Sequence, residues 1–115
     1  LEPGRNVELY NAATTWGITP DRVRLGNFPD GFDKKWDAFE ISKRIEDIAK
    51  ELKCTVIVTF DKGGVSGHPN HIDTYNGVIC HSQEHLYNKI SYYTLKTQSF
   101  FMKFTSWLRL LLDFK

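Results

Sequence analysis

The sequence predicts an α/β sandwich on a mostly parallel sheet, and three stretches carry that prediction. "CTVIVTF" (54–60) is a nearly unbroken β-branched and aromatic run, which reads as a strand buried on both faces of a parallel sheet. Upstream of it, Trp36, Phe39, Ile41, Ile45, Ile48, Ala49 and Leu52 recur at helical spacing behind Asp33, a candidate N-cap. Downstream, Pro69 suits the first turn of a further helix, because its missing N–H would be unpaired there anyway.

Taken in order, "RNVELYNAATTW" (5–16) reads as a helix stopped by Gly17, with Pro20 soon after. "RVRLGNF" (22–28) follows as a short strand. The amphipathic helix over 33–52 leads into the strand at 54–60. The helix opened by Pro69 runs to about His85, and "KISYYTLKT" (89–97) returns to a strand. Alternating elements of these lengths imply right-handed crossovers. Ligands of such sheets gather outside the carboxyl ends of the strands, and the loop "DKGGVSGH" (61–68) lies there.

Composition narrows the field. With 115 residues and 41% apolar content the chain supports one packed core and falls short of two. A net charge of +1, with no basic arm, excludes a dedicated nucleic-acid binder. There is no signal pattern at the start and no apolar run of about 18 residues that would span a bilayer. Cys54 and Cys80 lie in apolar surroundings without CxxC spacing and read as small buried hydrophobes.

The loop brings two imidazoles together in "GVSGHPNH" (64–71). A residue before proline is pushed out of the α region, so His68 stands in extended backbone while His71 sits in the first helical turn. His71, on a rigid element, is placed to be a metal ligand through a neutral ring nitrogen. His68, at the mouth of the loop, is free to exchange protons with a substrate. On its own, HxxH fits a helix cap or loop hydrogen bonds as well as a metal site. A second pair, His81 and His85, has i, i+4 spacing with Glu84 between, which is not the HExxH order. A solvated helix end accounts for it better than a second metal site does. A storage site built from all four histidines would need geometry that one helix does not offer.

"VIVTFDKGGVSGHPNHIDTYNGV" (56–78) resembles the signature of the PIG-L branch of the LmbE-like de-N-acetylases, with its TFD, GVSGH and NH elements in order. "GRNVEL" resembles that family's G-x-x-R-x-x-E-L region, "WGI" its LGI turn, "NFPDG" and "KWD" the segment before the long helix, and "YYTLKT" the late strand. The resemblance implies a Rossmann-like α/β/α sandwich of LmbE type. It also implies a Zn2+-dependent hydrolase that removes acetate from the N-acetylglucosamine of a phosphatidylinositol glycolipid. That reaction belongs to glycosylphosphatidylinositol anchor synthesis on the cytoplasmic face of the endoplasmic reticulum membrane.

By the family's pattern His71 would be a zinc ligand, and His68 would steady the tetrahedral intermediate and donate a proton. Arg5 and Asp30 align with positions that contact the sugar, although each also fits a surface ion pair or turn. Asn70 agrees with the glycolipid branch. The family's A-H-P-D-D motif, which supplies the other two ligands and the general base, is absent from these 115 residues. A catalytic zinc wants three protein ligands and an open position. The chain alone is therefore expected to be inactive, with a sheet that is incomplete at the N-terminus and lacks its middle strand. Either the native product is longer or the reading frame is truncated. The alternative is a non-catalytic remnant that binds glycolipid or a protein partner.

The domain thus reads as residues 1–98, followed by an amphipathic segment over 99–115. In that segment Lys103, Ser106, Arg109 and Asp113 leave a wide apolar face that includes Phe104, Trp107 and Leu111. Such a helix either lies in a membrane interface or packs on the sheet.

Overall fold

The computed structural model describes residues 3–86, 89–99, 105 and 108. Helix α1 (Pro3–Thr15) leads through a 3₁₀ turn (Pro20–Arg22) and a long irregular segment to α2 (Ala38–Leu52). Strand β1 (Val56–Phe60) is followed by α3 (Gly64–Gly67), a single distorted turn, then α4 (Pro69–Glu84) and β2 (Ser91–Leu95). The strands pair in parallel, Val56 with Ser91 through Phe60 with Leu95, so α4 is the crossover between them.

The α/β class and the parallel sheet are as the sequence predicts. The sheet has two strands among the described residues. Its outer face is open: Val58 is 58% exposed and Tyr93 59%, with Val56 and Leu95 beside them. The expectation of a strand buried on both faces is thus corrected, because nothing described packs on that side. Residues 22–28 form no strand either. Arg24 instead donates hydrogen bonds to Glu51 and to the Asp21 carbonyl, and among the described residues no strand lies alongside to take up the segment's backbone groups.

Helix α2 starts later than expected. The cap is Asp37, whose Oδ1 accepts from the N–H groups of Phe39 and Glu40 at 2.9 and 3.0 Å. Lys53, in the left-handed region at φ 52°, closes the other end. Trp36 lies ahead of the helix, its ring 5.1 Å from Phe28 and its indole N–H donating to the Pro29 carbonyl at 2.7 Å.

The core is the seam between α2 and α4, where Ile41, Ala49 and Val78 are buried. Gly77 makes the seam possible: a Cβ there would stand 2.3 Å from Ile41 Cγ2. Ser42 Oγ donates to Glu84 Oε2 across the same seam at 2.7 Å. Both cysteines are free thiols and only half-buried, so they pack less deeply than expected. Among the described residues no helix is long and apolar enough to cross a membrane. The amphipathic helix expected over 99–115 falls almost wholly outside the described residues.

Candidate functional site

The loop after β1 is held in an unusual shape by its carboxylate. Asp61 Oδ1 accepts from the Gly63 N–H at 3.0 Å and also from the Thr97 hydroxyl, while Oδ2 accepts from the Thr97 N–H. The hydroxyl of Thr97 is the main reason this carboxyl sits below the ordinary carboxylate range. The Val65 N–H donates in turn to Thr97 Oγ1 at 3.0 Å. Val65 adopts φ 66°, a strained conformation for a β-branched residue, and the Thr97 contact helps to hold it there. Gly64 (φ 57°) must be glycine for a second reason. A Cβ would meet Ile72 Cγ1 at 2.9 Å and His71 Cβ at 3.2 Å.

This shape fixes both imidazoles. His68 is extended (φ −65°, ψ 123°), as expected before proline, and caps α4: its Nδ1 accepts from the Asn70 N–H at 3.2 Å. In the neutral ring the proton therefore resides on Nε2. His71 has the opposite arrangement. Its Nδ1 lies 3.1 Å from the Gly64 carbonyl oxygen, which can only accept, so the ring carries N–H there and keeps its Nε2 lone pair. The His71 ring stacks on Phe60 at 4.1 Å, and the two imidazoles are 4.8 Å apart. One histidine thus offers a donor and its neighbour offers a lone pair.

A second segment is pinned against them. Asn70, 3% exposed, accepts from the Gly31 N–H through Oδ1 at 3.1 Å and donates through Nδ2 to the Lys34 carbonyl at 3.0 Å. Asp73, also buried, accepts from the Trp36 N–H at 2.9 Å. These two side chains bring Phe32 to 4.5 Å from the His68 ring. An open cavity of about 280 Å³ lies between this segment and the start of α4, lined by Phe32, Asp33, Lys34, Lys35, Pro69, Ile72 and Asp73.

Arg5 and Asp30 meet each other, Nη1 to Oδ2 at 2.6 Å, with side chains 62% and 52% exposed. The surface ion pair anticipated as one alternative is what forms, and it lies one residue from Gly31, where Asn70 grips the chain. Among the described residues the only group of three or more His, Cys, Asp or Glu donors is Glu46, His81 and His85. No such group of three includes His71 among the described residues, so no donor set that could hold a catalytic metal is assembled there.

The reading of His81 and His85 as a solvated helix end is overturned. His81 is 0% exposed. Its Nε2 lies 2.7 Å from Glu46 Oε2 on α2, and its Nδ1 lies 2.9 Å from the Tyr92 hydroxyl on β2. Sequence reasoning missed both partners because each comes from a different element. The helical periodicity of α2 did carry a trace: Glu46 follows Ile45, beside the apolar stripe and not opposite it.

Residues 1–81 match the family described as PIG-L, GlcNAc-PI de-N-acetylase. The chain is 37% identical over 78 residues to the probable N-acetylglucosaminyl-phosphatidylinositol de-N-acetylase of Schizosaccharomyces pombe, covering 65% of this chain and 32% of that protein. It is 34% identical to the probable enzyme of the same name from Dictyostelium discoideum, covering 64% and 30%. For the Bos taurus N-acetylglucosaminyl-phosphatidylinositol de-N-acetylase the identity is 35%, covering 59% and 28%. The matched stretch thus spans about a third of the length of these curated relatives. No solved structure matches the chain. With the GVSGHPNH loop, Asp61 and both histidines all inside the matched range, the chain belongs to the PIG-L, GlcNAc-PI de-N-acetylase, family.

Proposed function

We propose that this chain carries the His68–His71 part of a site for zinc-dependent hydrolysis of the N-acetyl group of N-acetylglucosaminyl-phosphatidylinositol. The observation that carries the reading is the opposed protonation of the two rings. His71, with Nδ1–H on the Gly64 carbonyl, has Nε2 ready as a ligand; His68, with Nδ1 occupied by the Asn70 N–H, has Nε2–H ready as a donor. The chemistry zinc supplies when bound is Lewis-acid activation of water and of the acetamide carbonyl. His68 would donate its Nε2–H hydrogen bond to the developing oxyanion; to protonate the departing amine it would act as imidazolium, Nδ1 taking a proton from solvent and releasing the Asn70 N–H, so that loss of the Nε2 proton returns a neutral ring.

Lys34 and Lys35, in the segment that Asn70 and Asp73 pin to α4, suit the phosphate of an inositol lipid, although Asp33 and Asp73 line the same cavity and Lys34 Nζ meets Asp33 Oδ2 at 3.0 Å. Arg5 and Asp30 would exchange their mutual ion pair for sugar hydroxyls. A glycolipid substrate places the reaction at a membrane surface, here the cytoplasmic face of the endoplasmic reticulum. A second reading, a non-catalytic remnant that binds glycolipid or a protein partner, draws on the incomplete donor set at His71.

Acetate release from N-acetylglucosaminyl-phosphatidylinositol separates the two readings. The 115-residue chain alone is expected to be inactive, and a fusion behind a segment bearing His-Pro-Asp-Asp is expected to turn over and to stop with chelator. Turnover by the isolated chain, or a fusion that folds and binds zinc without turnover, would overturn the proposal.

A further inference from the structure

The far end of α4 gathers a separate set of donors. His81 and His85 present their rings on one helical face, with centroids 4.6 Å apart. Glu46 reaches them from α2, and one ligand atom from each of the three residues lies within 4.8 Å of the others. Glu46 Oε2 is 2.7 Å from His81 Nε2 and 3.6 Å from His85 Nε2. A tetrahedral zinc with ligands at about 2.0–2.1 Å holds them about 3.3 Å apart, so the two Glu46 distances are within about 0.6 Å of that spacing and the widest pair would close by up to about 1.5 Å.

Three further features suit a bound cation. His81 has Tyr92 Oη at 2.9 Å from its other nitrogen, the kind of oxygen partner that orients a ligating imidazole. His85 makes no hydrogen bond of its own ring among the described residues and stands within ion-pair distance of Glu46 alone. Glu46, alone of the three, also lines an open cavity of about 360 Å³, shared with Lys50, Lys53 and Lys89, which gives its carboxylate a side facing solvent. The competing contact is Lys50 Nζ, 2.8 Å from Glu46 Oε1, on an exposed side chain that is free to swing away.

We propose that Glu46, His81 and His85 form a divalent-metal site of zinc type that staples α4 to α2, separate from His68 and His71. His81 stands ten helical steps, about 15 Å, beyond His71. Without metal, His81 Nε2–H donates to the Glu46 carboxylate and Tyr92 O–H donates to Nδ1. On binding, the cation takes the Nε2 lone pair, the ring's single N–H proton moves to Nδ1 and is donated to Tyr92 Oη, whose own O–H turns away, and no net proton is released from the ring. Two imidazoles and a carboxylate suit zinc, and cobalt as its spectroscopic substitute, over magnesium or calcium.

The test uses the 115-residue chain carrying His68→Ala and His71→Ala, titrated with Co2+ and then with Zn2+. One equivalent of Co2+ should give visible d–d absorption that Zn2+ removes. Adding His85→Ala or Glu46→Gln should weaken binding at least about tenfold with unchanged far-ultraviolet circular dichroism, and Tyr92→Phe by about tenfold. Since His85 is half-buried and its loss leaves the Glu46–His81–Tyr92 contacts in place, that variant reports on binding even where His81→Ala would unfold. Absence of Co2+ bands in the doubly substituted chain, or bands that survive both His85→Ala and Glu46→Gln, would overturn the proposal.

Discussion

Helix α4 carries a histidine pair at each end, and the two pairs have opposite surroundings. At the N-terminal end His68 and His71 are bonded to their own backbone neighbourhood, Asn70 N–H and the Gly64 carbonyl, and each keeps one ring nitrogen uncommitted. At the C-terminal end both nitrogens of His81 are taken by side chains of other elements, Glu46 on α2 and Tyr92 on β2. Spacing of three or four residues along a helix does not decide what an imidazole does. Its partners do: local backbone contacts aim a ring and leave it reactive, whereas cross-element contacts make it part of the frame.

The sharpest way to break this contrast is to delete one ring at each end. His81→Ala should cost about 3 kcal/mol, the lower end for breaking a buried pair because Lys50 still meets Glu46. His71→Ala should cost about 1 kcal/mol, a hydrogen bond and a ring stack, as read by urea denaturation. Comparable losses at both ends would erase the distinction. Gly64→Ala comes next, at about 1–3 kcal/mol, since the new methyl is both strained at φ 57° and pressed on Ile72.

Acid should act on the C-terminal end in particular. Glu46 is held down to about 2 from its ordinary 4.5, first by Lys50 and then by His81. A carboxyl depressed on folding contributes stability that is present above pH 4.5 and is lost as pH falls from there toward about 2. Thermal melts across that window should show a steeper decline for the native chain than for Glu46→Gln. The smallest effect belongs to Arg5→Ala. Its pair with Asp30 is exposed, so about 0.2–1 kcal/mol is at stake, and the difference should shrink in high salt.

Signals in the sequence were legible to the extent that they depended on nothing outside their own stretch. Pro69 marked the start of α4, the β-branched run marked β1, and the order His-Pro-Asn-His placed both rings where the structure has them. Asp33 and Asp37 look alike as caps; contacts from α4, Asn70 to Gly31 and Asp73 to Trp36, hold 31–36 as irregular chain and leave Asp37 to start α2. The segment 22–28 has strand propensity without a strand beside it among the described residues. The open outer face of the sheet and the Glu46–His81–Tyr92 chain were illegible for one reason: both depend on what lies across from a residue, which no single stretch encodes.

The central claim is that His68 works on substrate while the rest of the loop holds it in place. The most direct measurement is acetate release from N-acetylglucosaminyl-phosphatidylinositol by the fusion bearing His-Pro-Asp-Asp, with and without His68→Ala, at matched folded fraction and matched zinc content. The account predicts a loss of about 10²–10⁴ in rate for removal of the proton donor, with bound zinc unchanged. An unaltered rate, or a loss that follows zinc out of the protein, would contradict it.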